Sequence, residues 1–437
     1  MRPTPLLALL CATATLGGCA SPCARVEQAH TELTQPTAPG VAGDHLRLSM
    51  PLALVDQVVN RELRGLPRAH LPLPAIAGVS LGAASVGVDR VAVVPGPPEE
   101  VSFVADVSVR SGTRTLLPVR VTARVRPKLD PGNGRVVIAL DPEGLVAMNA
   151  TLGPGGTTTL IDALWAQLPG AARMLTTKSD LARLAEPTAN QLLRSAANLV
   201  ERELLDDLGK VARVELDLPP IPVDEIHVRS SEADLVIGVH TPLPSRGAIA
   251  PTVPRTTPAH QVELTIHAAA AVELVNDAMR RGQVPRRFEL DGNADPNGPL
   301  EAHLAWDGAA PKPLLVHAFL LDPAAAGRPP KDCAHVTLGA TPQVSAEQGH
   351  LVLATSDAKV QDVEGSAAVK AGLFFGGVSR RSFEHVESIA ARTDFELGQQ
   401  SLRAQLQSAS RSGDHLVFGL TLSPTPGPDR PRARPAP

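Results

Sequence analysis

Two stretches of this chain, 216 residues apart, repeat the same pattern. Residues 46–60 (LRLSMPLALVDQVVN) align without a gap with residues 262–276 (VELTIHAAAAVELVN), and the two stretches share a Leu, an Ala, a Val and an Asn. In each stretch, alternating apolar residues typical of a strand give way to apolar residues every three or four positions, which are typical of an amphipathic helix. The repeat therefore predicts two units that each begin with a strand followed directly by a helix.

The closing segments of the two units also correspond. Residues 187–208 carry an apolar stripe at helical spacing, and a strand pattern at residues 235–239 (LVIGV) follows them. Residues 380–398 show a similar stripe, and residues 416–420 (LVFGL) match the closing strand. Similarity at both ends, in the same order, predicts an internal duplication.

The middle of the first unit has the period of a β-sheet. Apolar and polar residues alternate over residues 101–109 and again over residues 119–125. A turn sequence at residues 130–134 (DPGNG) should return the chain antiparallel over residues 136–140. The 42 prolines also favour short turns and edge strands over a helical bundle. The predicted fold class is therefore α+β, weighted towards β.

The first 18 residues resemble the signal peptide of a bacterial lipoprotein. Arg2 precedes an apolar run over residues 6–16 that is too short to span a bilayer, and two glycines lead into Cys19. The resemblance implies cleavage before Cys19 and acylation of this residue. An ordinary secretory signal is the alternative. Because no aspartate follows Cys19, we expect an anchor in the outer membrane, with the protein facing the periplasm.

These features divide the chain into six predicted parts. They are a signal peptide (1–18), a lipidated cysteine with a flexible tether (19–43), a first domain (44–242), a proline-rich linker (243–260), a second domain (261–424) and a disordered tail (425–437). Cys23 and Cys333 can pair in an oxidising compartment. The preferred interpretation leaves them unpaired, because Cys23 stands only four residues from the predicted anchor.

Composition excludes several classes of function. The net charge of −4 and the scarcity of aromatic residues, with no Tyr, argue against a nucleic-acid partner. The 13 histidines show no spacing typical of metal ligands. We therefore predict no metal, no cofactor and no enzymatic activity.

Four motifs favour structural over chemical interpretations. Ser80 fits a G-x-S-x-G pattern, but a strand pattern follows it where a nucleophile elbow requires a helix. Residues 291–297 resemble a calcium loop that lacks its glycine and its bidentate glutamate, so a solvated turn is favoured. Asn60 and Asn276 should make structural hydrogen bonds. The basic stripe on residues 119–125 and its flank is expected to be a solvated sheet face rather than a contact for anionic head groups; its members are Arg120, Arg124 and Arg126.

The repeated segments resemble the tubular lipid-binding (TULIP) superfamily, in the tandem arrangement of bactericidal/permeability-increasing-like proteins. The similarity is carried by residues 46–63 with 262–279 and by the helix-to-hairpin ends at 187–240 and 380–422. It implies two domains, each a long, highly curved antiparallel sheet wrapped around a long amphipathic helix, with an apolar groove. The second copy has less regular middle strands, so whether it has a cavity of its own stays open.

The implied function is to bind or carry lipid or another lipophilic molecule at the outer membrane. Exposing a sixteen-carbon chain to water costs on the order of 12 kcal/mol, so transport requires an apolar sheath. The alternative is a non-enzymatic scaffold lipoprotein that binds a protein partner in the cell envelope, in which case the same residues form a solid core. The candidate groove residues are Leu52, Val55, Val59, Leu63, Val101, Phe103, Val107, Val119, Val121, Val125, Leu192 and Leu199.

Overall fold

The structure is a computed structural model of the 437-residue chain. It describes residues 21–35, 40–62, 68–72, 83–126, 128–130, 135–139, 143–168, 170–204, 213–217, 221–289, 293–321, 332–348, 350–367, 370, 383–390, 392–397 and 400–424. The predicted signal peptide, Cys19 and the predicted tail therefore lie outside the described residues.

Six α-helices occur in the described residues. They are α1 (Pro22–Thr34), α2 (Leu52–Glu62), α3 (Gly156–Gln167), α4 (Gly170–Leu175), α5 (Lys178–Leu199) and α6 (Ala268–Arg280). A π-helical turn, Val200–Leu204, continues α5. None of these helices combines the length and the apolar content that a membrane crossing needs.

The described strands form three antiparallel sheets. The strands are β1 (Leu46–Pro51), β2 (Ala69–Pro72), β3 (Ala83–Val94), β4 (Val101–Ser111), β5 (Arg114–Val125), β6 (Lys128–Asp130), β7 (Arg135–Ala139), β8 (Leu145–Leu152), β9 (Arg213–Asp217), β10 (Glu225–Ser230), β11 (Asp234–His240), β12 (Val262–His267), β13 (Arg287–Phe288), β14 (Leu300–Trp306), β15 (Leu314–Leu321), β16 (Cys333–Glu347), β17 (His350–Gly365), β18 (Phe383–Ala390), β19 (Arg392–Leu397), β20 (Gln400–Ser412) and β21 (His415–Pro424).

Each unit has its own sheet, and a third sheet joins the two units. The first sheet has the order β2-β3-β4-β5-β8, and the second sheet has the order β13-β14-β15-β16-β17-β18. The central sheet has the order β10-β11-β1-β12-β21-β20-β19-β9-β7-β6, so the units meet at β1–β12 and again at β19–β9. The fold is α+β, with two curled antiparallel half-barrel sheets, as predicted at this level.

The repeated strands have the same register in both units. Leu46 pairs with Val239 in β11, and its counterpart Val262 pairs with Leu420 in β21. One step inwards, Gly238 and Gly419 occupy equivalent positions opposite β1 and β12. The matching registers place the two LVxGx strands in equivalent sites, as the sequence alignment predicts.

The repeated helices are fastened to their sheets in the same way. The Asn60 side chain in α2 donates to the Val91 carbonyl (2.6 Å) and accepts from the Val91 N–H (2.8 Å). The Asn276 side chain in α6 makes the same pair of bonds with the backbone of Leu304, at 2.8 and 3.0 Å. The predicted structural role of both asparagines is confirmed. The matching pairs of hydrogen bonds, called asparagine brackets below, identify β3 and β14 as equivalent strands.

Two predicted helices differ in the structure. Residues 383–390 and 392–397, predicted as part of a helix over 380–398, are strands β18 and β19, which pair with β17 and β20. Their apolar spacing fits a helix, but their aromatic and β-branched residues also suit a strand, and pairing with a distant strand decides between the two. The helix predicted from residue 187 begins at Lys178, because Thr177 and Asp180 form a capping box there.

The segment predicted as a flexible tether contains helix α1. The Ser21 side chain accepts a hydrogen bond from the Ala24 N–H (3.2 Å), and Pro22 occupies the first turn. Cys23 is joined to Cys333 by a disulfide with a Cα–Cα distance of 5.5 Å. The preference for unpaired cysteines is therefore wrong, because α1 docks on the second sheet and brings the two thiols together.

The predicted proline-rich linker is held against the central sheet. The buried Arg47 side chain donates to the carbonyl oxygens of Ala250 (2.7 Å) and Val253 (3.2 Å). On the next strand, the buried Glu263 carboxylate accepts from the backbone N–H groups of Thr256 (2.7 Å) and Thr257 (2.8 Å). Arg47 and Glu263 are equivalent positions of the repeat, so two opposite charges clamp one segment.

Candidate lipid-binding groove

The inner face of the first sheet is a continuous apolar surface. Strands β4 and β5 place Val101 opposite Val125, Phe103 opposite Ala123 and Val107 opposite Val119. Because directly opposite residues of an antiparallel pair share one face, these side chains form adjacent rows. Every candidate on the two strands is at most 4% exposed; they are Val101, Phe103, Val107, Val119, Val121 and Val125.

Helix α2 covers part of this face. Leu52, Val55 and Val59 are buried and belong to the same apolar cluster as the strand residues. The carboxylate of Asp56 accepts a hydrogen bond from the Val93 N–H (2.9 Å), and burial raises the pKa of Asp56. The sequence pattern did not predict this hydrogen bond, although Asp56 precedes Asn60 by one helical turn and therefore faces the same strand.

Helix α5 covers another part of the face, across β5 and β8. Leu192 is 1% exposed, and Leu199 is partly buried against the same cluster. Six apolar residues are buried along one side of α5 and the π-helical turn that continues it, and three of them are alanines. The six are Leu181, Ala185, Ala189, Leu192, Ala196 and Val200. Pro187 lies inside the helix, where it removes one backbone donor.

Eleven of the twelve predicted groove residues are described, and they all contribute to one apolar cluster. Leu63, the twelfth, lies outside the described residues. The sequence thus locates the apolar interior of the first unit correctly, because the interior is built from amphipathic elements with regular periods.

The outer face of the same strands carries ion pairs. Arg120 lies 3.1 Å from the Asp106 carboxylate, and Arg124 lies 3.0 Å from the Glu100 carboxylate. Arg126 approaches the same Glu100 at 3.9 Å. The basic stripe is therefore a solvent-facing row of ion pairs, as predicted.

The second sheet differs from the first in having a polar inner face. His303 stands opposite His317 on β14 and β15, and Phe319 stands opposite His335 on β15 and β16. The His317 and His335 rings approach within 2.9 Å, and the Phe319 ring stacks on His335 at 4.4 Å between centroids. All four side chains are at most 8% exposed. An aliphatic chain would therefore contact imidazole rings here instead of valine.

Burial controls the charge of these histidines. It lowers the pKa of His303 to about 4, assisted by the nearby Arg280 and Arg286 guanidinium groups. Burial, with a smaller contribution from His335, also lowers the pKa of His317 to about 4. Both rings are therefore neutral at pH 7. A pocket of water size, about 10 Å³, lies beside His303 between α1, α6 and β14.

Helix α1 takes the place in the second unit that α5 takes in the first. With β3 and β14 equivalent, β5 corresponds to β16 and β8 corresponds to β17 along the sheet order. Helix α5 packs on β5 and β8, and α1 packs on β16 and β17. The segment before the first unit therefore supplies a helix to the second unit, a connection that the sequence did not reveal.

The remaining sequence candidates give no reactive site among the described residues. Ser80 lies outside them, but β3 begins at Ala83, so a strand does follow the G-x-S-x-G pattern. Of the calcium-like loop, the structure describes Asn293 onwards, where Asp295 accepts from the Asn297 N–H (2.8 Å) in an exposed turn. In the part of the chain that is described, no group of three or more potential ligands could hold a metal ion.

Comparisons with known proteins give structural likenesses only. No protein-family model matches the chain, and no curated protein matches it. Among solved structures, it is similar to P47 of Clostridium botulinum E1, with 8% identity, a TM-score of 0.42 and coverage of 88% of this chain and 100% of that chain. It is also similar to a lipopolysaccharide binding protein, with 12% identity, a TM-score of 0.22 and the same coverage of each chain. Both TM-scores are below 0.5, so neither likeness assigns a fold family or a function to this chain.

Proposed function

We propose that this chain is a non-enzymatic lipoprotein, acylated at Cys19 and anchored in the outer membrane, that binds lipid or another lipophilic molecule in the first unit. The observation that carries the proposal is the uninterrupted apolar inner face of the first sheet, which α2 covers at β3 and which α3 and α5 cover at β5. Such a face can shield an acyl chain from water, at a gain of roughly 0.8 kcal/mol per methylene group.

The residues of α5 support a helix that can shift away from the apolar face. Ala185, Ala189 and Ala196 are buried where α5 meets the apolar cluster, and their side chains are short. Pro187 weakens the helix backbone near its middle, and the π-helical turn Val200–Leu204 follows its last residue. Prolines and π-turns are common causes of helix bending, and π-turns occur often at functional sites. A small displacement of α5 would open the space that a hydrocarbon chain needs.

The second unit is a weaker candidate for the ligand. Its inner face carries His303, His317 and His335, and these polar rings offer a less favourable contact for hydrocarbon than valine side chains do. Helix α1 already covers this face and is covalently attached to it. We therefore assign the ligand to the first unit.

The test measures uptake by the purified full-length chain carrying Cys19→Ser, so that its own acyl chains do not interfere. We expect mass spectrometry of organic extracts to find a co-purified lipophile and a fluorescent fatty acid to bind. Ala189→Phe introduces a large ring at the buried contact between α5 and the apolar cluster and should abolish binding. Asn190→Phe, on the exposed side of the same helix, is the matched control and should bind normally.

The results of these measurements distinguish a lipid carrier from a scaffold lipoprotein. If the folded Cys19→Ser protein takes up no lipophile and carries none, the carrier function fails and the scaffold lipoprotein replaces it. Equal binding by the Ala189→Phe and Asn190→Phe variants would move the ligand away from α5. The anchor is tested independently: the mature N-terminal peptide should carry acyl chains on Cys19, and Cys19→Ala should release the protein from the membrane fraction.

A further inference from the structure

Helix α1 is bound to the second unit by covalent and non-covalent contacts. The Cys23–Cys333 disulfide fixes its first turn to the start of β16, and Cys333 is fully buried. One turn later, Val26 is fully buried in a small apolar cluster with Phe319. The His30 side chain then contacts the Glu301 carboxylate at 2.9 Å. The helix is therefore a fixed part of the second unit along most of its length.

This attachment shortens the tether to the proposed anchor. Cys23 is four residues from Cys19, and four extended residues reach about 14 Å at most. If the tether instead ran freely from Cys19 to the first unit at residue 44, its 25 residues would reach about 90 Å when extended and about 28 Å on average. The disulfide therefore sets a length scale comparable to the polar headgroup layers of a membrane rather than to a whole domain.

We propose that the second unit is the membrane-proximal unit, held with the Cys23–Cys333 end of its sheet against the lipid surface. This inference rests on the proposed acylation of Cys19 and adds to it a defined orientation. The first unit is fixed to the second, because β1 pairs with β12 and β9 pairs with β19. The attachment through the Cys23–Cys333 disulfide therefore also sets the direction in which the candidate groove points from the membrane.

The experiment uses the acylated full-length chain in phospholipid vesicles that carry a dansyl-labelled lipid. The two native tryptophans are replaced (Trp165→Phe and Trp306→Phe), and one reporter tryptophan is introduced. Asp332→Trp, next to the disulfide, reports on the second unit, and Met174→Trp, 89% exposed on α4, reports on the first unit. We expect stronger energy transfer to the labelled lipid from residue 332 than from residue 174.

Two insertions distinguish attachment through the disulfide from a free tether, and both lie outside the strands of the two units. About ten Gly/Ser residues inserted after Ala20 lengthen the segment between Cys19 and the disulfide from roughly 11 Å to roughly 21 Å on average, so transfer from residue 332 should fall. The same insertion after Thr37 lies beyond the disulfide and should leave the transfer unchanged. A free tether predicts the same effect from both insertions.

Two results would overturn the proposed orientation. One is energy transfer from residue 174 that equals or exceeds the transfer from residue 332, and the other is an equal change in transfer after the two insertions. Absence of acyl chains on Cys19, measured on the same sample by mass spectrometry, is a failure of the proposed anchor and is thereby distinguished from a failure of the orientation. Circular dichroism of each variant verifies that the sheets are intact before transfer is compared.

Discussion

Leu48 and Leu264 stand directly opposite each other in the β1–β12 pair, and they are also equivalent positions of the sequence repeat. A residue that pairs with its own counterpart marks the axis about which the two copies are related. On either side of it, Leu46 pairs with Ile266 and Ser49 pairs with Glu263, as antiparallel pairing about this point requires. The repeat in the sequence is therefore a local two-fold relation in the central sheet.

The asparagine brackets should contribute equally to the two units. Asn60→Ala and Asn276→Ala each leave a backbone N–H and a backbone carbonyl without their partners, in Val91 and Leu304 respectively. We expect each substitution to lower the free energy of unfolding by about 2–3 kcal/mol, measured by urea denaturation. Gln57→Ala, at an exposed position of α2, should change stability little. A negligible effect at only one of the two asparagines would contradict their equivalence.

Loss of the disulfide should destabilise the second unit. The bond closes a loop of 310 residues, and removing it with Cys23→Ser and Cys333→Ser should cost about 3–5 kcal/mol through the greater freedom of the unfolded chain. Thermal unfolding of the double variant, compared with that of the oxidised parent, measures the loss. In limited proteolysis the variant should also be cut within residues 21–35 earlier than the parent. Identical melting curves would contradict this prediction.

Acidification should weaken the second unit through its buried histidines. The folded pKa values of His303 and His317, about 4, lie below the ordinary value of 6.5. The unfolded chain therefore binds protons first as the pH falls, so the contribution of these groups is complete above about pH 6.5 and declines towards pH 4. Urea midpoints at pH 7 and pH 5 should differ less in His303→Gln/His317→Gln than in the parent.

The matched control for this pH effect is His260→Gln. His260 is exposed at the end of the linker, so its replacement should leave the difference between the two midpoints unchanged. If the double variant retained the full pH dependence of the parent, the buried histidines would not be its source.

The linker should become accessible to protease when its clamp is removed. Glu263→Ala deprives the Thr256 and Thr257 N–H groups of their acceptor and leaves Arg47 without its negative neighbour on β12. We expect faster trypsin cleavage after Arg246 and Arg255, followed by mass spectrometry of the fragments. Glu232→Ala, at an exposed position, should be cleaved at the parental rate. Unchanged cleavage of the Glu263 variant would show that the linker is held by other contacts.

Features with a local periodic signal were predictable from the sequence. The alternation over residues 101–109 and 119–125 identified both strands and their buried face, and the match of residues 235–239 to 416–420 identified equivalent strands. The roles of Asn60 and Asn276 followed from their repeated positions on the helices. In each of these cases, the residues that decide the structure lie within one element or its copy.

Features that depend on distant partners were not predictable in the same way. Residues 383–390 are a strand because β17 is available to pair with them, and no local pattern names that partner. The pairing of Cys23 with Cys333 required α1 to dock on the second sheet. For α1 itself a signal was present, since Ser21 and Pro22 form a helix start and Val26, His30 and Leu33 face one side. The Ala, Pro and Thr content of the surrounding segment obscured it.

The shared central sheet also bears on solubility. A strand with free backbone N–H and carbonyl groups along one side is a template for association with other chains. In this protein β1 and β12 each cover that side of the other, as do β9 and β19. Cutting the chain at the linker, reducing the Cys23–Cys333 disulfide and separating the halves would therefore uncover two pairs of complementary edges at once. We expect isolated halves to aggregate or to recombine with each other, and the covalent joining of the two copies keeps this pairing within a single molecule.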